Sequence, residues 1–123
     1  MVAFMLAAAV AAHAINPSGT ITVAPSCPLQ VTKAILDAGK GFDRDSLYVN
    51  FFIANPTDKE FLYTYKLQLH SRTKKTDVRE QLGSNAVLAH SKGWYREFVG
   101  VEFAPPSDYT LDQTQLSCVS TGS

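Results

Sequence analysis

The stretch LYVNFFIANPTDKEFLYTYKLQL, residues 47–69, decides how this chain is read. In its first half Leu47, Val49, Phe51 and Ile53 fall on one face of an extended strand, while Tyr48, Asn50, Phe52 and Ala54 fall on the other. In its second half Phe61, Tyr63, Tyr65, Leu67 and Leu69 alternate with Leu62, Thr64, Lys66 and Gln68. The period of two and the aromatic and β-branched content both specify strands. Asn55-Pro56-Thr57-Asp58-Lys59-Glu60 is short and rich in turn formers, so the two runs form either a hairpin or a corner that crosses between sheets. Two such strands cannot bury their apolar faces alone and need a second sheet.

Working outward, Leu29 to Leu36 reads as a first core strand ended by Asp37-Ala38-Gly39-Lys40-Gly41, with a short helix over LQVTKAILDA as the competing reading. Before it, Thr20-Ile21-Thr22-Val23 lies between turn-forming clusters and reads as an extended lead-in or edge strand. Residues 70 to 93 are polar and uneven, and a short strand is expected only around Ala86 to Ala89. Tyr95, Val99, Val101 and Phe103 mark a strong strand at about 95 to 103, closed by Pro105-Pro106. A last strand around Thr114 to Val119 would bring Cys118 alongside the first. The sum is six or seven strands without a helix after residue 15, an all-β antiparallel sandwich.

A chain of 123 residues is one domain long, and its 46% hydrophobic and 18% charged content is that of a folded protein. Eleven basic and eleven acidic residues cancel, which removes the long-range positive field that nucleic-acid binding uses. The opening MVAFMLAAAVAAHA, residues 1–14, is an apolar run ending in small residues around His13 and reads as a signal peptide, with an N-terminal core helix as the competing reading. It is shorter than the roughly 20 apolar residues of a membrane-spanning helix. The expected organisation is a signal over 1–14, an extended lead-in over 15–28 and the sandwich over 29–123, in a secreted or periplasmic protein. In such a compartment Cys27 and Cys118 are expected to form a disulfide. A ring that long stabilises by about 4–5 kcal/mol through the entropy removed from the unfolded chain.

From Leu47 to Phe103 the order of features resembles bacterial extracytoplasmic immunoglobulin-like modules of the FxLYD type. The residues that carry the resemblance are a strand ending Asn55-Pro56-Thr57, the strand Phe61 to Leu69, a polar loop, and Leu88-Ala89-His90-Ser91-Lys92-Gly93 entering a strand with Phe98 and Val99. Where that class has proline before the glycine, this chain has Lys92. The resemblance implies an immunoglobulin-like sandwich serving as an envelope or secreted accessory module, and it carries no catalytic residues over.

The residues themselves show no catalytic pattern. His70 and His90 share no ligand spacing with each other or with a cysteine pair, so no metal or cofactor is expected. There is no Gly-x-Ser-x-Gly turn, and Asp43, Asp45, Asp58, Glu60 and Asp77 lie in expected turns. The densest charge is Arg72, Lys74, Lys75 and Arg79 against Asp77, which is either a solvated connection between strands or a site for an anionic polymer or lipid. Tyr48, Tyr63, Tyr65, Trp94 and Tyr95 are expected mainly to pack the core, although Tyr48 and Phe52 would form a contact patch if they faced outward. The expected function is a non-catalytic interaction or structural module that binds a protein partner, with an anionic-ligand module working through residues 70–79 as the alternative.

Overall fold

A computed structural model describes residues 16–17, 19–41, 44–72, 77–101 and 108–122. Its β elements are β1 (Asn16–Pro17), β2 (Thr20–Val23), β3 (Gln30–Gly41), β4 (Arg44–Ala54), β5 (Phe61–Ser71), β6 (Asp77–Val87), β7 (Lys92–Val101) and β8 (Tyr109–Ser120). They form two four-stranded sheets, one in the order β1-β3-β4-β7 and the other β2-β8-β5-β6. The fold is the expected all-β sandwich. Every neighbouring pair described is antiparallel except β2 and β8, which run parallel.

The alternation in residues 47–69 is realised in full. Leu47, Val49, Phe51 and Ile53 from one sheet meet Phe61, Tyr63, Tyr65, Leu67 and Leu69 from the other in a single buried cluster. Phe51 joins the layers, with its ring edge-on to Tyr65 at 5.1 Å and to Tyr63 at 6.1 Å between centroids. Rings meeting this way add about 0.5–1.5 kcal/mol beyond the area they bury. Because β4 and β5 belong to different sheets, the segment between them is a corner rather than a hairpin turn.

The strand reading of LQVTKAILDA holds over its helical alternative, and three expectations are corrected. β3 does not end at Asp37 but runs on through Gly39 to Gly41, because it pairs with β4 along that whole length. Gly39 is tolerated within the strand because the Tyr48 ring lies against it, where a Cβ would stand 2.7 Å from that ring. The polar stretch after residue 76 is an eleven-residue strand, β6, that ends at Val87, while Leu88 and Ala89 lie beyond it. As an edge strand it pairs on one side only, with β5, and its exposure takes away the apolar alternation that betrays a strand. Finally, β8 is longer than expected and lies between β2 and β5, so Cys118 neighbours the lead-in rather than the first core strand. The third strong strand is β7, over Lys92–Val101; Phe103, Pro105 and Pro106 lie outside the described residues.

Candidate functional site

The residues singled out in the sequence separate in space. Cys27 and Cys118 are bonded, S–S 2.04 Å. The bond pins the turn in which the chain leaves β2 for the opposite sheet, where the Cys27 N–H donates to Ala24 O (2.9 Å) and the Ala24 N–H to Leu116 O of β8 (2.8 Å). Arg72 follows β5, and its guanidinium holds Asp108 at 2.5 Å, which raises its pKa through the hydrogen bond and charge of that carboxylate. Arg79 lies within β6, opposite Leu67 of β5, with Asp77 at 3.8 Å. Lys74 and Lys75 lie outside the described residues. Arg72 and Arg79 thus each face a carboxylate, an arrangement that lowers their attraction for an external anion. His70 meets Asp112 at 2.7 Å across the β5–β8 ladder, and His90 takes a positive φ of 54° in the turn before β7. Among the described residues no three His, Cys, Asp or Glu side chains gather as a metal would require.

What the sheets do assemble is an aromatic and charged lattice on the outer face of β3, β4 and β7. Pairing registers set Lys33, Phe52 and Trp94 in one row, Ile35, Asn50 and Arg96 in the next, and Asp37, Tyr48 and Phe98 in a third. A bulge in β3 between Val31 and Lys33 sets this phase, turning Lys33, Ile35 and Asp37 outward while Ala34 and Leu36 enter the core. Phe52 and Trp94 pack edge to face at 5.2 Å, and Tyr48 and Phe98 do so at 5.6 Å. Arg96 lies 4.1 Å above the Tyr48 ring and is held there by Asp37 (3.3 Å) and by the carbonyl of Ala38 (3.3 Å). Lys33 Nζ stands 5.9 Å over Trp94. Trp94 is 51% exposed even so. The expected aromatic set therefore divides: Tyr63 and Tyr65 are core, Tyr95 packs against it, and Tyr48 and Trp94 face outward. The opposite sheet carries an open groove of 680 Å³ beside Thr22, Thr64, Lys66, Leu82 and Gln115, without an aromatic cluster.

Two polar features inside the sandwich were missed in the sequence. Glu97 of β7 is 3% exposed. It accepts a hydrogen bond from the Tyr63 hydroxyl and one from the Ser84 N–H (3.0 Å), linking β7 to both β5 and β6. The Ser84 N–H is available because β6 bulges opposite Tyr63, the register stepping from Leu62–Ala86 to Thr64–Leu82. Gly83 is required in that bulge, since a Cβ there would stand 2.4 Å from the Tyr63 ring. Burial, and after it the hydrogen bond to Glu97, raises the Tyr63 pKa; burial, and after it the charge of Glu97, raises that of Tyr65. In the unfolded chain both phenols titrate near pH ~10. Their contribution to stability is therefore complete below that pH and is lost as pH rises toward the folded-state values, at up to about 1.4 kcal/mol per pH unit for each tyrosine. Urea midpoints are expected to hold steady to about pH 9.5 and then fall, with Tyr63→Phe roughly halving the slope; a profile flat to about pH 11.5 would contradict this account.

The second missed feature is Asn55, 1% exposed at the β4–β5 corner. Its amide nitrogen donates to the carbonyls of Lys59 (2.7 Å), Leu88 (3.1 Å) and Val87 (3.2 Å). Its oxygen accepts from the Thr57 N–H (3.0 Å) and hydroxyl (2.8 Å). One side chain thus ties the corner to the β6–β7 turn. Compared with family models, curated proteins and solved structures, the chain matches none.

Proposed function

We propose that this chain is a non-catalytic exported module that binds a protein partner through the outer face of β3, β4 and β7. The observation that carries the reading is Trp94, half exposed, packed edge to face with Phe52 and with Lys33 over its ring, while Arg96 lies in the next row over Tyr48. Tryptophan, tyrosine and arginine are the residues that dominate binding energy at protein interfaces, and clustered outward rings are uncommon on a surface with no partner. Their neighbours hold them in place, so little rotamer freedom is lost on contact. Export is supported by the Cys27–Cys118 disulfide, which belongs to an oxidising compartment, and by the apolar run over 1–14. No helix among the described residues is long and apolar enough to cross a membrane.

The anionic-ligand reading, through Arg72, Lys74, Lys75 and Arg79, is less favoured because Arg72 and Arg79 already face Asp108 and Asp77. The two readings separate in one experiment. Partner binding is expected to weaken about tenfold or more in Trp94→Ala and Phe52→Ala. It is expected to stay unchanged in the triple substitution Arg72→Ala, Lys74→Ala, Lys75→Ala, with the fold checked by circular dichroism. The reverse pattern would transfer the function to the basic segment.

A further inference from the structure

The outer lattice has a symmetry of its own, and from it, building on the proposed use of this face, we infer that the partner is a second copy of this chain. On β3 the outward sequence is Lys33, Ile35, Asp37; on β4 it is Phe52, Asn50, Tyr48; on β7 it is Trp94, Arg96, Phe98. Each strand therefore has a central residue with a matched pair around it, opposite charges on β3 and two rings on each of the others. The register aligns the three centres in one row.

A two-fold axis along that central row, between two faces laid together, returns each strand to its own counterpart and exchanges the flanking rows. Lys33 then meets the partner's Asp37, and Asp37 meets the partner's Lys33. Phe52 meets the partner's Tyr48, and Trp94 meets the partner's Phe98. Each Asp37 then stands between its own Arg96, 3.3 Å away, and the partner's Lys33, so that the two carboxylates are shared among the four cations as the Arg96 side chains approach each other at the axis. The other possible two-fold, along the strands, would press Asp37 onto Phe98 and Lys33 onto Trp94, removing both charges from water without a new opposite charge. Charge complementarity therefore selects the first docking, an isologous contact of the kind most homodimers use.

The face spans three strands about 5 Å apart and three rows about 7 Å apart. That is smaller than the roughly 800 Å² per partner of a tight complex, so a reversible dimer is expected, with dissociation in the micromolar range or weaker.

Sedimentation equilibrium of the purified chain, at concentrations up to about 1 mM, tests the inference. The wild type is expected to dimerise, and Lys33→Asp and Asp37→Lys, each alone, to associate at least tenfold more weakly. Mixing the two variants is expected to restore association, because one copy then presents two carboxylates at these contacts and the other two ammonium groups. A monomeric wild type, a single variant that associates like the wild type, or a mixture that fails to recover would each overturn the second-copy proposal. A photo-crosslinking residue in place of Asn50, in the central row of the face and with Trp94 and Phe52 intact, covers the case in which a charge variant does not fold. An adduct of twice the 13.4 kDa chain from pure protein is the expected product. An adduct formed only with a different protein overturns the second copy while leaving the binding face standing, and no adduct with any protein overturns both.

Discussion

Loss of the Cys27–Cys118 bond is expected to lower the stability of this domain by about 4–5 kcal/mol, a large share of the roughly 5–15 kcal/mol that a domain of this size possesses. The two cysteines are 91 residues apart, so the bond closes nearly the whole sandwich into one ring. Cutting it releases the unfolded chain from that ring while the sheets keep their ladders. The consequence is also local. Cys27 is buried at the crossing from β2 to β3, and this anchor adds to the β8 ladder and to the core packing of Ile21 and Val23 in holding the short parallel strand β2. Urea unfolding of the oxidised chain against Cys27→Ala/Cys118→Ala should show a midpoint lower by roughly 2–4 M in the variant. A difference below about 1 kcal/mol would mean that the unfolded chain is already compact enough for the ring to constrain little.

Replacing Asn55 by Asp is expected to cost about 3–5 kcal/mol at neutral pH, more than Asn55→Ala, although the two side chains have the same shape. The Asn55 amide nitrogen faces the carbonyls of Lys59, Val87 and Leu88. A carboxylate there turns three donor contacts into oxygen facing oxygen and buries a charge at a position 1% exposed. Burial and the carbonyl dipoles both favour the protonated form, so the introduced group would have a folded-state pKa above its unfolded value near ~3.9. By linkage the deficit relative to wild type is then smallest below about pH 4 and grows as pH rises. Paired urea titrations at about pH 4 and pH 7 check this; an Asp variant as stable as the Ala variant at neutral pH would show that the corner opens to water.

Where an element has one face in the core and one toward solvent, the sequence was easy to read. β4 and β5 announce themselves because Phe51 and Tyr65 have to be inside while Asn50 and Lys66 do not. β6 was hidden because it pairs on one side only, and at a sheet rim Arg79, Gln81 and Gly83 can occupy inward-phased positions that a central strand would give to apolar residues. Alternation alone could have located Glu97, which shares the phase of the inward-packing Tyr95 and Val99. Its partners could not be foreseen, since Tyr63 and Ser84 are brought to it by a sheet crossing and a bulge. The same limit applies to Asp108, far along the chain from Arg72. The outer lattice was half legible: an outward Tyr48 and Phe52 follow from the period of two, but their rows with Lys33 and Trp94 depend on a one-residue slip in β3.

The kink at Gly83 and Ser84 also bears on how this protein survives at high concentration. A long, flat rim is an open template on which further chains can stack without end, the route to fibrils. Because the Ser84 N–H is turned inward to Glu97, an incoming chain finds an amide missing from the row midway along the rim. The bond from the Ser84 N–H to Glu97, which joins β6 to β7, thereby also makes this rim a poorer template for stacking.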